Sequence, residues 1–275
     1  MNKYNSKVVG LDVGLLIGKF FMETEDLHYG YWPHDKTATA QNFAEAQQRH
    51  SQLIIDHIPE GVENILDVGS GSGNLAKKLI SLGYHVDCVI PSEFLAERVK
   101  QKLDENSTIH ICKFEAVETN VTYDLILFSE SFQYIPMDKS IPKIQKLLSP
   151  NGHLLICDVF HKNVPGKSPM RGGHRWDYFE KIIEESNLKL TCELDITEET
   201  APTYDFLNQL LTDVAEPISE MTGGYLNYKY PKLTKLIKWK FQKKLNRINH
   251  VWFSGKLTGE NFIKFKSYKL LIYKA

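Results

Sequence analysis

The sequence predicts an α/β protein built on a doubly wound, mostly parallel sheet. Short apolar segments of strand length alternate along the chain with stretches of helical spacing. A right-handed crossover between parallel strands requires such a helix, so the alternation favours a parallel sheet. In addition, a glycine-rich loop follows the first apolar segment of this series and opens a helix.

The predicted elements begin with a helix at 37–57, which Pro59 and Gly61 end. After it, strands are predicted at 62–68, 84–90, 108–112, 123–129 and 152–159, and helices at 74–82, 92–103 and 139–148. A helix at 177–186 then leads to a strand at 188–195, and residues 262–273 alternate as a final strand.

Composition excludes several classes of protein. Hydrophobic residues make up 42 % of the chain, charged residues make up 24 %, and the net charge is −1, so no overall field attracts nucleic acid. The N-terminus carries two lysines before an apolar stretch, as a signal peptide does, but Asp12 interrupts it and no small-residue cleavage site follows. We therefore expect a surface or lid helix there, and a cytoplasmic protein whose four widely spaced cysteines are free thiols.

The strongest motif is the loop Ile65–Asn74, which reads ILDVGSGSGN. Its G-x-G-x-G spacing differs from the G-x-G-x-x-G of dinucleotide folds, and it has no P-loop lysine. Glycines permit a tight turn and a close approach of ligand to backbone. Asp67, at the strand end, suits a cationic ligand better than a pyrophosphate. A glycine turn without a ligand is the alternative.

These residues resemble motif I of the class I methyltransferases that use S-adenosylmethionine (SAM), and further motifs follow in order. Residues 123–130 resemble the fourth strand of that family, and LLSPNGHLL at 147–155 resembles the entry to its fifth strand. LHYGYW at 27–32 and D-I-T…P at 195–202 resemble elements of small-molecule, type 11-like members. The resemblance implies a Rossmann-like sheet of seven strands with an antiparallel last strand.

The resemblance also implies how SAM, and its product S-adenosylhomocysteine, are bound. Asp67 and the loop Gly69, Ser70, Gly71 and Gly73 are expected around the methionine part, with Ser129 on the sulfonium side. The residues expected at the ribose are Pro91 and Ser92, those at the adenine are Phe114 or Glu115, and those in a lid are Tyr29 and Trp32. No metal is expected. Ile90 stands where the family usually has an acid for the ribose hydroxyls, and Asp87 is three residues early.

Polar and aromatic residues near the ends of the fourth and fifth strands are candidates for the acceptor side. Glu130 and His174 are predicted as catalytic residues. The predicted substrate contacts are Gln133, Tyr134, His161, Arg175 and Trp176. Capping, solvation or core packing is the structural alternative for these side chains. Gly172 and Gly173 give their loop freedom to approach a ligand.

About 60 residues before the last strand do not follow the α/β alternation. Residues 193–220 contain eight acids and no base, whereas residues 229–256 contain nine bases and no acid. An apolar stripe at 232–248 predicts a cap helix whose lysines face solvent or pair with the acidic helix before it. The alternatives are a helix that rests on an anionic membrane, and one that guides an anionic substrate or RNA.

We therefore predict a SAM-dependent methyltransferase that acts on a small-molecule acceptor. Its expected units are an N-terminal helical lid (1–60), a SAM-binding core (61–195), a helical cap insert (196–258) and a final core strand (259–275). An RNA methyltransferase and a non-catalytic SAM-binding regulatory module are the alternatives, with an NAD-linked oxidoreductase last. The oligomeric state and the acceptor atom are left open.

Overall fold

The fold is known from a computed structural model, which describes residues 6–34 and 36–275. Residues 1–5 of the predicted lid lie outside the described residues. In the described part of the chain there are eight strands: β1 (Asn64–Val68), β2 (His85–Val89), β3 (Ile109–His110), β4 (Tyr123–Ser129), β5 (Leu148–His161), β6 (His174–Arg175), β7 (Lys189–Asp195) and β8 (Lys266–Lys274).

The strands form one sheet in the order β3-β2-β1-β4-β5-β8-β7. β1 pairs in parallel with β2 and β4, and β4 pairs in parallel with β5, whereas β8 runs antiparallel to both β5 and β7. The predicted sheet of seven mostly parallel strands with an antiparallel last strand is confirmed. The two-residue β6, which the sequence predicts as loop, adds a short parallel pairing to the end of β5.

The helices lie between and around these strands. They are α1 (Ser6–Phe21), α2 (Ala40–Asp56), α3 (Asn74–Ser81), α4 (Glu93–Lys100), α5 (Met137–Leu147), α6 (Trp176–Glu184), α7 (Thr197–Thr200), α8 (Pro202–Gln209), α9 (Glu216–Lys229), α10 (Pro231–Trp252) and α11 (Gly259–Phe265). A π-helical segment, Leu210–Ala215, joins α8 to α9. None of the helices described is long and apolar enough to cross a bilayer.

Side chains that alternate along the strands create two apolar layers, one on each face of the sheet. On β4, Leu125 and Leu127 belong to one layer, while Ile126 and Phe128 belong to the other. All four are fully buried, and each such side chain stabilises the fold by about 1.5–3 kcal/mol. Burial on both faces explains why the strands are apolar runs rather than alternating sequences.

The predicted final strand starts too early. Residues 259–265 form α11, because the Thr258 hydroxyl accepts a hydrogen bond from the backbone N–H of Asn261 and caps a helix there. Phe262 and Phe265 are buried by this helix. The strand itself begins at Lys266.

The insert is anchored at its two ends only. In α8, Thr203 and Tyr204 are buried, but from Leu210 to Trp252 no side chain is buried. The predicted pairing of acids with the lysines of α10 is not formed, since none of the ion pairs within the described ranges involves a lysine of that helix. The lysines face solvent.

Candidate active site

The loop after β1 has a conformation that only glycine adopts without strain. Gly69, Gly71 and Gly73 have φ values of 79°, 56° and 81°. A Cβ on Gly69 would lie 2.4 Å from the Cβ of Ser131, in the turn after β4. The Gly69 N–H donates to the Val89 carbonyl oxygen at 2.8 Å, so the loop also joins β1 to β2. The predicted glycine turn is therefore a close junction of three strand ends.

Asp67 is a buried carboxylate that lacks a partner for one of its oxygens. The residue is 2 % exposed, and its Oδ2 has no hydrogen-bond partner among the described residues. Burial raises the pKa of Asp67 to about 7. A buried, half-satisfied carboxylate costs free energy in the absence of a cation, so this position suits a ligand that brings positive charge.

Two buried hydroxyl groups resemble Asp67 in that they lack a hydrogen-bond partner among the described residues. In the described part of the chain, the buried Oγ atoms of Ser72 and Ser129 also lack a hydrogen-bond partner. Val68 of β1 lies opposite Phe128 of β4, and alternation then places the side chains of Asp67 and Ser129 on the same face of the sheet. Asp67 and Ser129 therefore lie on one face at neighbouring strand ends, and their predicted contacts with SAM stay predictions. Ser72 was not among the predicted residues, although it lies inside the recognised loop.

The N-terminal segment is tied to the start of α3. Asn74, the first residue of that helix, donates through Nδ2 to the Asp26 carboxylate at 2.8 Å. Lys102 bridges the Asn74 side chain and Glu25, with both distances at 2.7 Å. Hydrogen bonds from Lys102 and Lys19 lower the pKa of Glu25 to about 2. Residues 25–26 are thus held beside the glycine loop.

The turn after β4 contains a second carboxylate, Glu130, which is half-buried. Its φ of 56° places a non-glycine residue in the left-handed region, at a cost of about 1–3 kcal/mol. Its Oε1 accepts hydrogen bonds from the backbone N–H of Tyr29 at 2.6 Å and from the Tyr268 hydroxyl at 2.7 Å. Burial raises the pKa of Glu130 to about 8. Such strain and burial are typical of functional positions.

A chain of buried polar groups extends from Glu130. The Tyr268 hydroxyl donates to Glu130, so its oxygen accepts a hydrogen from His50 Nε2, 2.9 Å away. Burial, and then the stacked His28 ring at 4.6 Å, hold the pKa of His50 well below its usual value. His50 is therefore neutral. Sequence reasoning missed His50 and Tyr268 because 218 residues separate them and no local motif links them.

Tyr29 lies beside Glu130, within an aromatic cluster. Its hydroxyl is 2.7 Å from that of Tyr204, and its ring contacts those of Tyr204, Tyr268 and Phe262. Trp32 is the other residue predicted in the lid, and its contact with SAM stays a prediction. It is 1 % exposed, and its Nε1 donates to Thr203 Oγ1 at 2.9 Å, so it packs in the core between the N-terminal segment and α8.

Asp158 and Gln133 connect β5 to the turn after β4. Asp158 is fully buried, and its two oxygens accept hydrogen bonds from the backbone N–H and the Nε2 of Gln133, both at 2.9 Å. Burial raises the pKa of Asp158 to about 7. The Gln133 Oε1 accepts from the Gly173 N–H, and a Cβ on Gly172 would lie 2.2 Å from that oxygen. The glycine pair therefore approaches Gln133, so this predicted substrate contact is engaged within the protein.

His174 joins the same turn. Its Nε2 lies 3.0 Å from the carbonyl oxygens of Phe132 and Ile135, so Nε2 carries the proton and Nδ1 is the basic nitrogen. Burial lowers the pKa of His174. The catalytic role predicted for His174 stays a prediction.

The other predicted acceptor-side residues are engaged with their neighbours. Arg175 is exposed and bound to Asp177. Trp176 packs on Phe160 with ring centroids 5.0 Å apart, which is core packing. His161 contacts the Lys162 carbonyl through Nδ1, at 2.9 Å. Tyr134 is 61 % exposed at the end of the turn after β4.

The predicted ribose and adenine positions are only partly polar. Ile90 is buried, and Asp87 points elsewhere, since it accepts hydrogen bonds from Thr108 N–H at 2.6 Å and Tyr123 hydroxyl at 2.8 Å. Pro91 is exposed, the Ser92 hydroxyl caps α4, and Phe114 packs on Phe128 with Glu115 half-buried beside it. The contacts predicted for these four residues stay predictions.

Known proteins share this arrangement. Residues 66–154 match the family of methyltransferase domains. An uncharacterized methyltransferase of Bacillus cytotoxicus is 27 % identical over 135 residues, which cover 46 % of this chain and 64 % of the relative. The matched stretch thus spans less than two thirds of that relative.

Solved structures agree over nearly the whole chain. Geranyl diphosphate C-methyltransferase from Streptomyces coelicolor A3(2), crystallised with Mg²⁺, geranyl-S-thiolodiphosphate and S-adenosyl-L-homocysteine, superposes with a TM-score of 0.68 and 13 % identity, covering 100 % of this chain and 98 % of its own. Over residues 66–154 the protein is similar to a methyltransferase domain, and its whole chain has the fold of this neighbour. The [4+2]-cyclase SpnF shares the fold of this domain, with a TM-score of 0.69, 14 % identity and coverage of 100 % and 96 % of the two chains. At these identities the structures establish the fold alone.

Among the described residues, no group of three or more His, Cys, Asp or Glu side chains is arranged to hold a metal ion.

Proposed function

We propose that this protein is a methyltransferase that transfers the methyl group of SAM to a small-molecule acceptor. The observation that carries the proposal is the unpartnered, buried carboxylate oxygen of Asp67 beside the glycine loop. SAM has an ammonium and a sulfonium group, and a buried carboxylate without a cation is matched by such a ligand. The neighbour crystallised with S-adenosylhomocysteine supports the same choice of cofactor.

The residues of the loop fit this cofactor. Asp67 would hold the ammonium group, and the hydroxyls of Ser72 and Ser129 would supply hydrogen bonds that they do not make within the protein. When bound, SAM supplies an electrophilic methyl group on its sulfonium. The positive φ values of the loop glycines form a tight turn that an L side chain would strain.

Glu130 is the residue best placed to manage a proton on the acceptor. Both of its hydrogen bonds with described residues use Oε1, while Oε2 is used by neither. With its pKa raised to about 8, the ionised form of Glu130, which predominates above that pH, is a stronger base than an ordinary glutamate. We infer that Glu130 accepts the proton that an acceptor hydroxyl or amine loses.

Tyr268 and the Tyr29 backbone keep the Glu130 carboxylate in one orientation. The cluster of Tyr29, Tyr204, Tyr268 and Phe262 is mostly buried and excludes water from this side of the turn. Alignment of reactants without competing water contributes at most about 7–11 kcal/mol to lowering a barrier.

A small molecule is favoured over RNA as acceptor because the net charge is −1 and the neighbour of known substrate acts on geranyl diphosphate. The cyclase among the neighbours defines the alternative outcome, in which the fold has a function other than methyl transfer.

Calorimetric titration with SAM and S-adenosylhomocysteine tests the cofactor, with Asp67→Ala beside the wild type. We expect micromolar binding that Asp67→Ala removes. Glu184→Ala, at an exposed acidic position on α6, is the matched control and should bind as the wild type does. Transfer of radiolabelled methyl groups to a metabolite fraction, and not to RNA or protein, tests the acceptor class. Absence of binding to both ligands would contradict the proposal.

A further inference from the structure

Helix α10 presents an apolar surface that nothing in the described chain covers. Six side chains at spacings of four or three residues form one stripe along it: Leu233, Ile237, Phe241, Leu245, Ile248 and Trp252. Each is between 38 % and 55 % exposed. A contiguous apolar stripe on the surface of a globular protein marks an interaction site more often than chance.

The rest of this helix is basic. α10 contains six lysines, one arginine and no acidic residue. Within residues 6–34 and 36–275, none of these lysines forms an ion pair with an acidic side chain. Its positive charge is therefore not neutralised by the protein, although the whole chain has a net charge of −1.

We propose that α10 docks this protein on an anionic lipid bilayer, lying in the plane of the membrane surface. A helix with a basic face and an apolar stripe that contains Phe, Leu and Trp is typical of interfacial helices. The stripe would lie below the headgroups, and the long lysine side chains would extend to the lipid phosphates. At 22 residues, the helix is about 33 Å long in that plane.

Charge favours this occupant over others. A second copy of the helix against the same stripe would bring two sets of seven cations together, which opposes dimerisation. RNA would match the charge but would leave the apolar stripe in water. Only an anionic amphipathic surface satisfies both features. The inference does not depend on the proposed methyl transfer.

Co-sedimentation of the full-length protein with vesicles tests the proposal. Vesicles of phosphatidylcholine mixed with phosphatidylglycerol should bind it at least roughly tenfold more tightly than vesicles of phosphatidylcholine alone, and added salt should weaken the binding. Ile237→Gln with Phe241→Gln should remove binding. The control variant is Leu82→Gln with Val121→Gln, at positions that are 58 % and 46 % exposed outside α10. This variant should bind the vesicles as the wild type does.

Two double variants that remove the same charge from different helices test how much the lysines of α10 contribute to vesicle binding. Lys235→Gln with Lys238→Gln should weaken binding to the anionic vesicles roughly tenfold. Lys77→Gln with Lys181→Gln removes the same charge from exposed positions on α3 and α6, and should leave binding within about twofold. Circular dichroism of each variant verifies that the helices are retained.

Tryptophan fluorescence tests the orientation. Trp252 belongs to the stripe, whereas Trp239 lies on the opposite side of α10 and is 73 % exposed. Anionic vesicles should shift the emission to the blue in wild type and Trp239→Phe, but not in Trp252→Phe. Equal binding to both vesicle types, or equal loss in both charge variants, would overturn the proposal. Binding to RNA without vesicles, or a dimer that the stripe variant dissociates, would also overturn it.

Discussion

The loop after β1 and the turn after β4 each hold one carboxylate, and the two differ in how many hydrogen bonds the protein donates to them. Glu130 accepts two hydrogen bonds from Tyr29 and Tyr268, whereas Oδ2 of Asp67 accepts none from the described residues. Burial raises both pKa values, to about 8 and about 7. One group is held by the fold, whereas we propose that the other binds a ligand, so the two should respond differently to mutation.

The largest effect that separates the two carboxylates is expected on turnover. Glu130→Gln keeps an oxygen that can accept from Tyr29 and Tyr268 but cannot take up a proton. We expect kcat to fall by roughly 10²–10⁴ while SAM affinity is retained, because a general base contributes that much. Single-turnover kinetics and calorimetry on one preparation measure the two quantities. Unchanged kcat would remove Glu130 from the chemistry.

A smaller effect is expected on the pH dependence of cofactor binding. Asp67 must be ionised to hold a cation, and its pKa is about 7. The affinity for SAM should fall about tenfold for each pH unit below that value. Calorimetric titrations between roughly pH 5 and pH 8, a range that includes the Asp67 pKa, measure how the SAM affinity depends on pH. Asp67→Asn should bind weakly with no slope in this range; a slope that persists would assign the dependence to another group.

Tyr268→Phe should reduce the activity several-fold only, and it should do so by changing the pKa of Glu130. Loss of the hydroxyl removes a hydrogen bond that stabilises the ionised carboxylate, so the pKa of Glu130 rises further. The pH–rate profile should move to higher pH, with activity at neutral pH reduced about three- to tenfold. A profile that keeps its position with a lower plateau would indicate a structural role for Tyr268.

The smallest effect is on thermal stability, and its sign differs between the two sites. A carboxyl group whose pKa is raised on folding contributes stability below its unfolded pKa near 4, and that stability is lost as pH rises through about 7. Asp67→Asn should therefore raise the Tm of the ligand-free protein by a few degrees at pH 8, about one unit above the Asp67 pKa, and leave it unchanged near pH 4. Differential scanning fluorimetry measures both.

Glu130→Ala is the counterpart in the same assay. It should lower the Tm at every pH, because the Tyr268 hydroxyl and the Tyr29 N–H lose their acceptor inside the protein. A stabilised Glu130→Ala protein would contradict the difference drawn between the two carboxylates.

What the sequence predicts correctly is local. The loop Ile65–Asn74 combines strand, glycines and helix start within ten residues, so both its conformation and the position of Asp67 follow from one short segment. The alternation of strands and helices likewise predicts the sheet, because the crossover rules leave few topologies.

What the sequence cannot provide is the set of contacts made across the fold. His50 and Tyr268 meet Glu130 from α2 and β8, and only tertiary packing determines that meeting. The same holds for the contacts of Trp32 with Phe43 and Thr203, of which Thr203 lies 171 residues away along the chain. α11 overlaps the alternating pattern that predicts a strand from residue 262, because the Thr258 hydroxyl caps a helix before the strand begins.

The placement of β8 between β5 and β7 has a consequence for how the molecule folds and changes over time. β7 pairs with β8 alone in the sheet order, yet the whole insert separates these two strands along the chain. Their pairing closes a long loop, so this edge of the sheet should form late in folding. The same connection tolerates changes in length, since each doubling of a loop's length raises the free energy of loop closure by only about 0.6 kcal/mol. The segment from Leu210 to Trp252 should therefore be an exchangeable module, which can be lengthened, shortened or replaced while the α/β core keeps its stability.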